Sequence, residues 1–99
     1  MTTLIALIKE TQHGEENIYD TIARAARFEE LAETFGAKVK GLYWTMGAYD
    51  GVLILEVPDH KTGASLLYRL TSGGSVRTDI LTAFNADEMS SILSRSQQV

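Results

Sequence analysis

The chain has 99 residues, 44% hydrophobic and 22% charged, which suits one globular domain over residues 1–99 and leaves no room for a second. Nine Lys and Arg against thirteen Asp and Glu give a formal charge of −4, so nucleic acid and anionic membrane are not expected partners. The absence of cysteine removes disulfides, thiolate nucleophiles and Cys-ligated metal sites, and suits a cytoplasmic protein.

Leu4-Ile5-Ala6-Leu7-Ile8 is an unbroken apolar run of strand length, which predicts a strand buried on both faces. No basic segment precedes it, and it is too short for a signal segment or a membrane span. A long loop is expected from Thr11 to Asp20. Beyond it Ile18, Ile22, Ala25, Phe28, Ala32 and Phe35 recur at spacings of three and four, drawing an apolar stripe along a helix. Asn17 is the expected cap, Glu15-Glu16 favour the positive end of the dipole, and Gly36 ends the helix.

Lys38-Val39-Lys40-Gly41-Leu42 mixes polar and apolar positions, as an edge strand does. A glycine turn around Gly47 then feeds Val52-Leu53-Ile54-Leu55, a second strand apolar on both faces. Pro58 stops it, and a second helix starts at Asp59 with Gly63, Leu66, Leu67 and Leu70 on one side. Gly73-Gly74 ends that helix. Val76 to Thr82 reads as another edge strand, Ala86 to Arg95 as a short terminal helix, and residues 96–99 as a frayed tail.

The order is therefore β-α-β-β-α-β plus a tail helix, an α+β class. Right-handed crossovers place both helices on one face of a four-stranded antiparallel sheet in the order 4-1-3-2. The two apolar strands fall in the centre, yet helices cover only one face. The other face calls for a second copy, each aliphatic side chain it buries contributing roughly 1.5–3 kcal/mol.

Met46-Gly47-Ala48-Tyr49-Asp50-Gly51, the apolar run ending in Glu56-Val57-Pro58-Asp59, Gly74-Ser75-Val76-Arg77-Thr78 and Ala83-Phe84 together resemble the GYD domain family. Its pattern runs Gly-x-Tyr-Asp, apolar residues, Glu, Pro-Asp, and later Gly-x-Val-Arg-Thr. The chain departs from it at Ser75, where the family usually has Asn, and in the Thr11–Asp20 segment. The resemblance implies a ferredoxin-like domain that associates through its sheet, a homo-oligomer similar to dimeric α/β barrels. It implies no settled biochemical activity.

Antiparallel neighbours bring the end of strand one and the starts of strands three and four to one edge, drawing Lys9, Glu10, Asp50 and Arg77 together with the loop carrying His13 and with Tyr19. Arg77 can fork onto a carboxylate or phosphate, Asp50 can accept a proton, and Tyr43 and Tyr49 offer aromatic surface and a hydroxyl. The competing reading is an Asp50–Arg77 network that pins strand ends. Gly47, Pro58, Asp59, Gly73 and Gly74 serve turns and termini. His13 and His60 fall at opposite ends, so no metal pair forms, and no cofactor motif occurs.

Tyr43 and Trp44 are adjacent on strand two and must face opposite sides, one toward a core and one toward an interface. Strand three lacks the basic and aromatic residues of an RNA-binding sheet. The leading function is a cytoplasmic homo-oligomeric module in which paired sheets enclose a pocket for a small molecule, with binding or regulation as its purpose. Two alternatives stand beside it: a small cofactor-independent monooxygenase or isomerase of the dimeric α/β-barrel type, and an oligomerisation module alone.

Overall fold

In the computed structural model, which describes residues 1–98, four strands form one antiparallel sheet. They are β1 (Thr2–Glu10), β2 (Lys38–Trp44), β3 (Gly51–Val57) and β4 (Val76–Ala83), in the order β2-β3-β1-β4. This is the expected order counted from the opposite edge. β1 runs against β3 from Thr2↔Val57 to Ile8↔Gly51, and against β4 from Thr3↔Ala83 to Glu10↔Val76. The two strands without polar interruptions thus hold the centre, where both their ladder edges are paired.

Burial alternates along the central strands. Leu4 and Ala6 of β1 and Leu53, Leu55 and Val57 of β3 are buried, whereas Ile5, Leu7, Val52 and Ile54 are only half-buried. The cause is one-sided cover: α2 (Thr21–Thr34) brings Phe28 and Ala32 to the buried face, and α3 (His60–Ser72) brings Gly63, Leu66 and Leu67. Gly63 lets α3 lie close, since a Cβ there would stand 2.7 Å from Leu4 Cδ1 and 3.1 Å from Val57 Cγ2. Such close packing is what makes a core sensitive to one extra methyl group.

The helix ends follow from local chemistry. Asp59 caps α3, its Oδ1 accepting from the Thr62 N–H at 2.8 Å, and this contact holds the carboxyl below its ordinary pKa. After α2 the chain turns at Gly36, whose φ of 71° lets the Ala37 N–H reach back to the Ala32 carbonyl at 2.9 Å.

Three local expectations are corrected. The Thr11–Asp20 segment is not an open loop: Gln12–Glu16 form α1, the Thr11 hydroxyl accepting from the Gly14 N–H at 3.1 Å, and a 3-10 turn follows over Ile18–Asp20. Asn17 does not cap the long helix, because its side-chain amide donates to the His13 carbonyl at 2.8 Å, so α2 begins only at Thr21. The apolar stripe also starts late, with Ile18 and Ile22 exposed and burial beginning around Ala25 and Phe28.

The terminal helix α4 (Ala86–Ser96) opens with a capping box in which Asn85 and Glu88 satisfy each other's backbone N–H groups. None of its residues is buried. The tail expected to fray over 96–99 begins inside this helix, and Val99 lies outside the described residues. Among the described residues no helix is long and apolar enough to cross a membrane.

Candidate functional site

The end of β1, the start of β3, α2 and the end of α3 surround a cavity of about 380 Å³ on the helix side of the sheet. Ile8, Phe28, Leu31, Leu53, Leu70 and Val76 supply its apolar lining. Set into it are Glu10, Arg24 and Asp50. Arg24 reaches the sheet because it lies four residues before the core residue Phe28 on the same helix face.

Arg24 Nη1 stands 3.6 Å from Glu10 Oε2, an ion pair too long to be a hydrogen bond. Glu10's side chain is 8% exposed and Arg24's 21%, so this is a largely desolvated pair rather than a surface one. Glu10 Oε2 and the Nε and Nη2 of Arg24 are buried without a hydrogen-bond partner among the described residues. A buried polar atom without any partner costs about 1–3 kcal/mol, so these groups call for a hydrogen-bonding partner beyond the side chains around them. Gly14 closes the cluster from above: a Cβ there would collide with Glu10 Oε2 and the Ser75 carbonyl.

Asp50 anchors the opposite wall. Its N–H donates to the Ile8 carbonyl at 2.8 Å, its carbonyl accepts from Thr45 N–H at 2.9 Å, and its Oδ2 accepts from Glu10 N–H at 2.8 Å. The carboxylate therefore fixes the start of β3 to the end of β1 and orients the backbone that carries Glu10. Trp44, half-exposed, donates from Nε1 to Thr21 Oγ1 at 3.1 Å and closes the mouth against α2.

The other candidates separate from this cavity. Tyr43 borders it through the chain, but its register opposite Val52 puts its ring on the uncovered face, over Gly41. Neither Tyr43 nor Trp44 joins the core of one chain; both are at least half exposed. Arg77 is paired in register with Lys9, and among the described residues no ion pair joins it to Asp50. β1 lies between their strands, and the Asp50 oxygen nearest β1 is taken by a backbone N–H. Lys9 turns to the Ala48 carbonyl at 3.1 Å instead.

Tyr49 donates its hydroxyl to Asp79 Oδ2 at 2.8 Å, and that hydrogen bond, with the neighbouring negative charge, raises its pKa above the ordinary phenol value. His13 is exposed on α1, away from the cavity. Gly47, at a φ of 128°, and Gly74, at 80°, serve turns that other residues resist. Among the described residues no group of three or more His, Cys, Asp or Glu is placed to hold a metal ion. Arg24 is the residue that sequence reasoning missed; its signal was a charge at i, i+4 from a stripe residue.

Comparison with known proteins agrees with the architecture. The GYD domain family matches residues 4–93. A Thermus thermophilus protein named glutamine synthetase and cystathionine beta-lyase binding protein is 36% identical over 84 residues, covering 84% of this chain and 88% of its own. The crystal structure of TTHA0845, also from Thermus thermophilus, superposes with a TM-score of 0.62 at 25% identity, over 87% of this chain and 96% of that one. A feast or famine regulatory protein from M. tuberculosis, solved with L-methionine, gives a TM-score of 0.62 at 21% identity. That likeness covers 87% of this chain but 52% of the regulator, and shows the ferredoxin-like fold alone. With a family match over nearly its whole length and a relative more than a third identical, the chain belongs to the GYD domain family.

Proposed function

We propose that this chain is a cytoplasmic, homo-oligomeric regulatory module that binds a small molecule between its helices and sheet and attaches to an enzyme of amino-acid metabolism. The observation that carries the small-molecule part is the Glu10–Arg24 pair, largely desolvated and left short of hydrogen bonds in a cavity with a mainly apolar floor. Polar groups kept at a cost to stability in a concave apolar site are the usual mark of binding rather than of packing. The cavity lies on the helix side, whereas the sequence suggested a pocket between paired sheets.

Self-association is supported by the uncovered sheet face. Ile5, Leu7, Val52 and Ile54 are half-buried there, beside the exposed Tyr43 and Leu81. A contiguous apolar face of this kind is a surface for a partner. The attachment to an enzyme is supported by the relative named for binding glutamine synthetase and cystathionine beta-lyase. The enzyme alternative draws no support from His13, which stands outside the cavity, or from Asp50, whose carboxylate holds a backbone N–H.

Mixing the purified chain with glutamine synthetase or cystathionine beta-lyase from its own source, followed by size exclusion with light scattering, tests the attachment. Comigration with either enzyme supports it. Separate elution from both rejects it. Thermal shift against a metabolite panel tests the cavity: a ligand that stabilises the native chain and loses that effect in Arg24→Gln supports it, and no stabilising ligand counts against it.

A further inference from the structure

The helix-side cavity departs in charge from the chain that forms it. The protein carries −4 overall, yet three arginines, Arg24, Arg27 and Arg69, line this cavity against two carboxylates, Glu10 and Asp50. Both carboxylates are already engaged. Glu10 Oε2 faces Arg24 at 3.6 Å, and Asp50 Oδ2 accepts the Glu10 N–H at 2.8 Å.

The uncompensated charge lies with Arg27 of α2 and Arg69 of α3. Both side chains are exposed, and among the described residues neither forms an ion pair. α3 has no acidic residue that could supply one for Arg69, and Glu30, one helical turn on from Arg27, does not pair with it. Two separate helices thus bring like charges to one cavity. They repel each other there, and apolar walls strengthen the field they set up, so an anion between them is favoured.

We infer that the cavity takes a small monocarboxylate with an apolar body, its carboxylate held by Arg27 and Arg69 and its body on the floor of Ile8, Phe28, Leu53 and Leu70. The planar N–H fork of a guanidinium matches the two oxygens of a carboxylate. One negative charge brings the five ionised lining groups to balance. A phosphate dianion overshoots that balance, and a neutral amide leaves it unmet. The inference rests on the cavity being the binding site proposed above, and adds the chemical class of its ligand.

Trp44, the chain's one tryptophan, lines the cavity and reports its occupancy by fluorescence. The probes are the straight-chain carboxylates from butanoate to octanoate, their primary amides and the matching alkyl phosphates, titrated at constant ionic strength. At least one carboxylate should bind about tenfold tighter than its amide, the margin of one charge-assisted contact, and tighter than its phosphate. Arg27→Gln and Arg69→Gln, at exposed positions, should each weaken that carboxylate about tenfold. Arg95→Gln, the same loss of charge on α4 and outside the cavity lining, should not. Amides or phosphates that bind as well as the carboxylates overturn the inference. So does a carboxylate whose affinity Arg27→Gln and Arg69→Gln leave unchanged, or a series in which no carboxylate binds. The site itself is judged separately: a neutral metabolite whose stabilisation is lost in Arg24→Gln keeps the cavity and removes the carboxylate, whereas no ligand of any class removes both.

Discussion

Gly14 sits where α1 presses onto the cavity, and a side chain there would drive into backbone as well as into Glu10. Gly14→Ala should therefore cost about 1–3 kcal/mol, the range for overpacking a tight site. Gly73→Ala is its control, with an ordinary φ of −72° and nothing within 4 Å of a new Cβ. It should be neutral or stabilise by about 0.4–1 kcal/mol, and urea midpoints at unchanged slope decide both. Asp50→Asn and Arg77→Gln share no partner, so their effects should add to within about 0.3–0.5 kcal/mol; clear coupling would restore the strand-pinning network. Asp59 has a lowered folded pKa, so its contribution is full above the unfolded value of 3.8 and fades as pH falls through the folded one. The melting temperatures of Asp59→Asn and the native chain should therefore converge in acid.

At the scale of elements, the apolar runs made β1 and β3 legible as central strands, and polar interruptions marked β2 and β4 as edges. What the runs could not reveal was parity, because both faces of a central strand are equally apolar in sequence. The folded chain resolves it: Leu4 and Ala6 face the helices, Ile5 and Leu7 the open side. Ile5→Glu with Leu7→Glu should abolish the proposed self-association and keep the fold, while Leu4→Glu with Ala6→Glu should abolish near-UV circular dichroism. Leu53→Ala, at a position 1% exposed, should cost about 2–5 kcal/mol. α1 escaped sequence reasoning because Gln12–Glu16 is polar throughout and has no apolar period. It forms through the Thr11 cap and the close seat of Gly14, neither of which periodicity records.

Over the whole molecule, the sequence pattern led to the observed α+β fold and strand order, and it placed its candidate site at the end of the sheet where the Glu10–Arg24 cavity also opens, with a different set of side chains. It brought Asp50 and Glu10 together, which the fold confirms through one hydrogen bond, and it added Arg77, which the fold sends elsewhere. The missing partner, Arg24, comes from a helix crossing above, and a crossing is a tertiary fact that strand spacing does not contain. The uncovered sheet face and the Glu10–Arg24 pair are the two features on which the proposed assembly and the proposed binding site rest. Native mass spectrometry of the protein isolated from its own source tests this in one spectrum. The predicted result is a multiple of the 10.9 kDa chain carrying a small-molecule adduct that Arg24→Gln loses. A bare 10.9 kDa monomer would contradict both the assembly and the site.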